Sequence, residues 1–414
     1  MAAATYCGTF TEPSAMIERS REEVLIVGGG PAGSAAACML GARGRIPLLI
    51  EREAAPHDKV CGEFLSAEAQ QYLDDLGVDL EAMGASRIVS VRLFHDNKKA
   101  QCDLPFTARG LSRRTLDEAL LERALTENCR IDRGVRVRTI EPSPGGMSAT
   151  TDGDHRIEAG TLFLATGKHD VRGVNRPRCG TLNDLIGFKS YVVLKSSQQS
   201  ALDGAVEIHL FPGGYAGLQM IDGGRAGLCL VVSRGRFEQI GKTWPTLLAY
   251  LWVTCPVLEE RLEGSVGLAD RPLSVFQVPY GFLHRPGPSD PDGLFRIGDQ
   301  VGVIPSFTGN GVAIALHTGT LAATVLLQSG TSRLFHKIVR SDIRVSISLA
   351  SFLNRVNRWP GGQRVLISTC QSWPSAMGLL TSLTRVAPRT VMLTRAIAGR
   401  SLNDGQGSGA KPPS

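Results

Sequence analysis

The sequence predicts an α/β fold: a Rossmann-like nucleotide-binding domain assembled from separated segments, an inserted antiparallel β-sheet domain, and helices at the C-terminal end. Three observations carry this expectation. An apolar strand at residues 24–27 runs into the turn Gly28-Gly29-Gly30-Pro31-Ala32-Gly33 and then into a helix of small residues. From about Gly180 to Leu283 the chain breaks into short β-rich pieces separated by glycines. Beyond Leu294 the α/β pattern returns and gives way to helical periodicity up to Arg400.

Taken in order, residues 1–22 carry Glu12, Glu18 and Arg19 and no apolar run of signal-peptide length, and are expected to be a flexible leader. The strand at 24–27, a helix from Ser34 to Gly41 and a buried strand at 47–50 ending on Glu51 make a βαβ unit. Leu111 opens an amphipathic helix with Ser112 as its N-cap and Leu116, Leu120, Leu121 and Leu125 on its apolar side. Residues 135–140 alternate as a half-buried strand, and residues 161–167 form a core strand ending in a glycine turn. Strands at 190–194, 206–211 and 226–232 belong to the inserted sheet. Residues 294–299 resume the first domain and lead through Pro305 into a long apolar helix. The division is therefore 23–180 and 284–330 for the nucleotide domain, which lends the second sheet a share near 85–110. Residues 181–283 form the substrate domain, 331–400 the C-terminal helices, and 401–414 a Gly/Ser/Pro-rich tail expected to be disordered.

Composition narrows the function classes. Of 414 residues, 43% are hydrophobic and 20% charged, the balance of a globular chain large enough for two or three intimate domains. Nine cysteines is an odd number and none is spaced C-x-x-C, so neither a disulfide framework nor a metal site is expected, and a reducing cytoplasm fits. The best apolar run, residues 311–328, is interrupted by His317 and several threonines, so no membrane span is expected. Residues 331–400 hold eleven Lys or Arg against one acid, Asp342, a surplus of ten in a chain whose net charge is +6. Such a basic face suits an acyl carrier protein, an anionic membrane surface reached peripherally, or a phosphorylated substrate, and equally a plain solvated surface. Leu334, Ile338, Val345, Leu349, Phe352 and Val356 form the apolar stripe expected to pack inward or to roof a tunnel for a hydrophobic small molecule. No groove-reading motif accompanies the charge, so nucleic acid is not an expected partner.

Chemistry enters at the glycine turn. Gly28, Gly30 and Gly33, with Pro31 and Ala32 between them, bring backbone N–H groups at a helix N-terminus within reach of a dinucleotide pyrophosphate. Glu51, followed by Arg52, stands where ribose hydroxyls need an acceptor. FAD and NAD share these needs. A second contact distinguishes them: Gly298-Asp299, Pro305 and Gly309-Asn310-Gly311 supply an acid for ribityl hydroxyls and a bare helix start beneath an isoalloxazine ring, which points to FAD.

With these residues the chain resembles the FAD-dependent oxidoreductases that include aromatic hydroxylases (flavoprotein monooxygenases) and geranylgeranyl reductase-like proteins, over about residues 24–327. The resemblance implies that Arg113, in R-x-x-L-D, crosses to the FAD, and that Cys61-Gly62 lies beside the flavin. It also implies that Ala165-Thr166-Gly167 approaches the cofactor and that Phe211-Pro212-Gly213-Gly214-Tyr215 belongs to the substrate sheet. Tyr215 is followed by Ala216-Gly217, where the reductase branch carries Trp and Phe-Pro; Lys168-His169-Asp170 stands where hydroxylases place Asp-Gly; and no W-x-W-x-I-P segment of the flavin halogenases is present.

A flavin brings its own reactivity, so few protein groups are needed. Cys61 is a candidate proton donor or a space-filling thiol; Glu63 is a candidate acid/base or a carboxylate at a helix start; Tyr215, beside Phe211, lines the substrate face or the core. Lys168, His169 and Asp170 form a charged turn able to meet a substrate oxygen, and His317 is expected as a packing residue. The function expected first is a monooxygenase that uses NAD(P)H and O2 on a hydrophobic aromatic or polyketide-like molecule. The alternatives are a geranylgeranyl reductase-like reductase of a C=C bond and a flavin-binding module without turnover.

Overall fold

The computed structural model describes residues 19–177, 182–288, 290–359 and 361–386, with Val391 and Thr394 beyond them. β1 (Arg19–Val27) enters the glycine turn, α1 (Pro31–Gly41) follows with Pro31 at its first position, and β2 (Leu48–Glu51) returns parallel to β1, Leu25 opposite Leu48. The strand begins before Glu23: Arg19, Ser20, Arg21 and Glu22 pair with Arg156, Ile157, Glu158 and Ala159, so these four residues belong to the sheet and not to the leader. The remaining leader residues, 1–18, and the tail at 401–414 lie outside the described residues.

β3 (Phe64–Leu65) and α2 (Ala67–Asp75), capped by Ser66, precede the hairpin of β4 (Ser86–His95) and β5 (Lys98–Gly110). α3 (Arg113–Thr126) starts where the Ser112 hydroxyl accepts the Thr115 N–H. It buries Leu116, Leu120 and Leu121, but Leu125 is exposed, because at 100° per residue it falls opposite Leu116 and Ala124 takes the inner place. β6 (Arg130–Arg133), β7 (Val137–Ser143), β8 (Gly146–Thr151) and β9 (Arg156–Leu164) follow. The strand expected at 135–140 starts at Val137, since the Val135 N–H is spent on Glu51 O at the end of β2.

β10 (Leu185–Val193), α4 (Ser196–Leu202), β11 (Gly204–Phe211), β12 (Gly214–Met220) and β13 (Ala226–Ser233) come next. After them the expectation of continuing strands fails. α5 (Arg234–Gln239), α6 (Trp244–Thr254) and α7 (Pro256–Leu262) occupy this stretch. Thr243 and Thr246 form a reciprocal capping box, and Leu247, Leu251 and Leu258 bury at helical spacing against the back of the sheet. β14 (Val266–Gly267) and β15 (Leu273–Phe276) close the sheet edge, and β16 (Leu294–Arg296) returns to β9. The chain ends in α8 (Gly311–Leu327), α9 (Ser332–Arg358), α10 (Gly362–Ser372) and α11 (Pro374–Leu383).

Two sheets result. The first runs β6-β2-β1-β9-β8-β7, with β16 beside the C-terminal half of β9; its centre is parallel, as crossover helices require. The second runs β14-β10-β13-β12-β11-β4-β5-β3, with β15 also on β10; its neighbours are antiparallel except β11 and β4. β4 and β5 thus leave the first domain to join the second sheet. α8 crosses α1 in near contact: a Cβ on Gly319 would lie 2.2 Å from the Ala32 carbonyl oxygen. That crossing fixes the N-termini of both helices beside the ends of β1 and β16.

α9 corrects the expected stripe. Its buried face is Phe335, Val339, Ile343, Ile347 and Ala350, whereas Leu334, Val345 and Phe352 are exposed and Ile338, Leu349 and Val356 only half-buried. The ring of Phe335 packs on Phe295 of β16, 5.4 Å between centroids.

Candidate functional site

The glycine turn is a cradle that side chains cannot share. Gly28 has φ +110°, and a Cβ there would stand 2.5 Å from Ala165 O; one on Gly33 would stand 2.0 Å from Gly28 O. The turn is closed against the end of β9, where the Ala165 N–H donates to Val27 O. Glu51 is buried: Oε2 accepts the Gly29 N–H at 2.6 Å and Oε1 the Glu53 N–H at 3.1 Å, so the carboxylate braces the turn. Arg52 is turned to Glu53 at 3.0 Å.

Helices α2, α3 and α9 are capped by Ser66, Ser112 and Thr331, but α1 and α8 begin at Gly30 and Asn310 with no side-chain cap. Their first-turn N–H groups are left for an anion or an oxygen acceptor. Near the second start, Gln300 Oε1 and Asn310 Oδ1 are buried without a partner, and a Cβ on Gly311 would meet nothing. Gln300 Nε2 donates to Gly167 O and His169 O, and Asn310 Nδ2 to Thr384 O. Pro305 is buried, ahead of a single turn at Ser306–Thr308 that Gly309 ends with φ +70°. Ala32 lies under Gly298, whose N–H is held by Thr318 Oγ1 at 2.8 Å. Two uncapped helix starts, a glycine cradle and two orphaned acceptors fit FAD: Gly28, Gly30 and Gly33 would face its pyrophosphate, and Gln300, Asn310 and Gly311 its flavin end.

Asp299 is drawn into a charged turn. Its carboxylate is 3.6 Å from Lys168 Nζ, and its carbonyl accepts from Arg176, which also holds Asp170 at 2.7 Å and Lys168 O. Burial works against the charge on Lys168, but Asp299 raises its pKa. Burial, then Arg52 and Lys168, pushes His169 down to about 4. The Thr166 hydroxyl donates to His169 O, which tightens the same turn. Arg176 was not singled out in the sequence, and it is the residue that ties this turn together.

Arg113 hangs over the glycine turn: a Cβ on Gly30 would lie 3.4 Å from its Nη2. Its guanidinium forks onto Asp117, both contacts 2.8 Å, and Lys59 reaches the same carboxylate at 2.9 Å. Burial opposes both charges, but their pairing raises the Arg113 pKa and lowers that of Asp117.

Glu63, a candidate acid/base or helix-start carboxylate, meets the first N–H of α3. It is buried at φ +63°, with Oε1 accepting the Tyr191 O–H at 2.7 Å and the Arg113 N–H at 2.9 Å. Oε2 lies 2.6 Å from Lys189 Nζ in an ion pair bent away from hydrogen-bond alignment, both side chains fully buried. Gly227 makes room for this lysine, since a Cβ there would stand 2.5 Å from Nζ. The Glu63 N–H reaches Cys61 Sγ at 3.4 Å, and Gln219 donates to Glu63 O. Burial, then Glu63, keeps the Tyr191 phenol protonated far above its ordinary range. Glu63 is therefore a strut joining the Cys61-Gly62 segment to α3, β10 and β12. Lys189 and Tyr191 went unremarked in the sequence, although a lysine inside the apolar run LIGFKSYVV calls for a buried acid.

An apolar cavity of about 180 Å³ lies between the second sheet and the C-terminal helices. Val91 and Leu93 of β4 and Val206 and Ile208 of β11 form one wall; Leu353, Leu366 and Met377 of α9, α10 and α11 form the roof. It reaches Gly62, Gly309 and Asn310, so these residues and Tyr215 share one space, while Cys61 is not on its lining. The Tyr215 hydroxyl meets Ser306 Oγ at 2.5 Å, and the Tyr280 O–H donates to that oxygen at 2.6 Å. Burial raises the Tyr215 pKa well above 10 and pushes the Cys229 thiol, on the cavity wall, up to about 11. Arg385 is the one charged residue on the lining among the described residues, and Glu68 pairs with it at 2.6 Å. His317 is outside the site, between the Tyr72 hydroxyl at 2.8 Å and Asp342 at 3.1 Å.

Comparison with known proteins agrees with this geometry. Residues 21–163 match the FAD binding domain. Over 333 residues the chain is 22% identical to menaquinone reductase of Mycolicibacterium smegmatis, covering 76% of this chain and 78% of the relative. Over 349 residues it is 25% identical to digeranylgeranylglycerophospholipid reductase 2 of Methanopyrus kandleri, covering 81% and 82%. It shares the fold of a flavin-dependent brominase, with a TM-score of 0.73 at 17% identity over 93% of this chain and 100% of that one. Among the described residues no helix is long and apolar enough to cross a membrane. With an FAD binding domain matched over residues 21–163 and similarity to oxidoreductases along three-quarters of its length, the chain is an FAD-dependent oxidoreductase.

Proposed function

We propose that this oxidoreductase reduces a carbon–carbon double bond in a lipophilic molecule held in the cavity, with NAD(P)H as the electron donor. The observation that carries the reading is the cavity itself: an apolar space that begins at the flavin-side helix start and holds no unpaired charge on its lining among the described residues. The two relatives described above, each aligned along three-quarters or more of this chain, are reductases by name, one of a quinone and one of a prenylated lipid, which favours reduction over the oxygenation expected first from the sequence.

Bound FAD, once reduced, supplies a hydride equivalent. The chain's residues supply the rest. The apolar walls exclude water, Arg113 and the uncapped start of α1 hold the dinucleotide, and the second carbon of the double bond needs a proton. Tyr215 O–H gives it in this reading, which is supported by burial that keeps the phenol protonated and by the hydroxyls of Ser306 and Tyr280 behind it.

The test is turnover without oxygen, using NADPH and a panel of polyprenyl and quinone substrates in deuterated water. The expected product has gained two hydrogens, one of them from solvent, and Tyr215→Phe lowers the rate about 100-fold with the flavin spectrum unchanged. A product that forms only in air and carries a new oxygen atom would establish the monooxygenase and remove the reductase.

A further inference from the structure

The outer face of α9 is not polar. Leu334, Val345, Phe352 and the adjoining Trp359 are 48%, 63%, 58% and 63% exposed. Steps of eleven, seven and seven residues at 100° each keep them within about 40° of one line, opposite the buried Phe335, Val339, Ile343 and Ile347. Val365 of α10 and Trp373 at its end are also exposed. Lys337, Arg340, Arg344 and Arg355 run along one edge, and among the described residues none of them has a carboxylate partner. The helix's own acid, Asp342, is taken by His317. Arg285, on the loop before β16, and Arg344 stand near enough to Arg340 to help burial hold its pKa below the usual range. Cations crowded in this way leave a field that only an outside anion can neutralise.

We propose that this face of α9 seats on an anionic lipid surface, the stripe among the acyl chains and the flanking cations against headgroup phosphates. A second copy of the chain would bring the same cations and no acid to meet them. A lipid bilayer offers what the face lacks: a flat apolar medium bordered by negative charge. Leu353 of the same helix lines the apolar cavity, so a lipophilic substrate has a short way from the bilayer to the site; that last clause rests on the proposed function.

The experiment is co-sedimentation of the full-length, FAD-loaded protein with vesicles of phosphatidylcholine, alone or mixed with phosphatidylglycerol. It reads binding without turnover, so it fails or succeeds independently of the reductase reading. Binding is expected to the mixed vesicles at low salt and to weaken as salt is raised. Phe352→Ser with Trp359→Ser lowers the partition to both vesicle types about tenfold or more. Arg344→Gln with Arg355→Gln lowers it about 30-fold for the anionic vesicles alone. Both variants keep bound FAD and the wild-type unfolding midpoint. The proposal is overturned if the wild type stays in the supernatant with anionic vesicles at low salt, or if both variants sediment like the wild type. It is equally overturned if sedimentation equilibrium finds a dimer that the Phe352/Trp359 variant dissolves, since the face then belongs to a second copy.

Discussion

Replacing Lys189 by Met isolates the buried strut at the flavin end of the site. The substitution keeps a linear side chain in β10 but removes the ammonium 2.6 Å from Glu63 and strands a carboxylate that no solvent reaches. Breaking such a pair costs about 3–5 kcal/mol. Glu63 keeps the Tyr191 O–H and the Arg113 N–H, which still solvate its Oε1, so the lower end, about 3 kcal/mol, is expected. Adding Glu63→Gln removes the stranded charge, and the double variant should recover about 2 kcal/mol of that loss. The assay is urea unfolding of all four proteins followed by circular dichroism, with flavin absorbance recorded alongside. FAD retention should fall in parallel, because the strut sets the start of α3 and with it Arg113. Lys189→Met within about 0.5 kcal/mol of wild type, or strictly additive losses in the double variant, would refute the idea that this pair holds the site together.

Other outcomes follow from the same geometry. Gly30→Leu should fold normally and lose FAD, since a Cβ there meets only Arg113 at 3.4 Å and the side chain fills the cradle, whereas Gly33→Ala should unfold at lower temperature because its Cβ strikes Gly28 O; equal melting of the two variants would contradict this. His336, buried beside His284 and accepting the Arg296 N–H at 3.1 Å, is pushed from 6.5 down to about 3 by burial, then by His284 and Arg296. The unfolded chain therefore binds a proton below pH 6.5 that the folded chain refuses until about pH 3, and stability falls over that window by about 1.4 kcal/mol per pH unit from this residue. Urea titrations from pH 7 to pH 5 check it, and His336→Gln should show a shallower slope.

What the sequence made legible was local. The glycine spacing, Glu51 at the end of the next strand and Ser112 three residues before Thr115 are written in short stretches, and the structure uses each of them within one turn or one βαβ unit. α6 was misread because Trp, Leu, Tyr and Val suit strands as well as helices; its capping box and the burial of Leu247 and Leu251 decide the matter, and the burial depends on the sheet behind it. α9 carries apolar residues on two faces, so periodicity could not choose between them. The choice falls to Phe295, which is on hand only after β16 has joined β9. Glu63 was visible as a carboxylate but its partners were not, since Tyr191 lies 128 positions away on β10, six strands from β3 along the second sheet.

The glycine cradle and the apolar cavity are built from different parts of this chain. The cradle is fixed by backbone contacts that tolerate no side chain, Gly28 on Ala165, Gly33 on Gly28 and Gly319 on Ala32, so its geometry is set by the crossing of α1 and α8 whatever fills the cavity. The roof is attached differently, by a few polar links: Gln363 to Phe211 O, Asn310 to Thr384 O, and Arg385 to Glu68. Between those links Leu353, Leu366 and Met377 present only shape and apolar surface to the cavity. If the proposed function holds, volume changes at these three positions alter which molecule fits without disturbing the glycine turn. One scaffold can then serve reductases and halogenating enzymes alike, because function resides in the site and not in the fold that carries it.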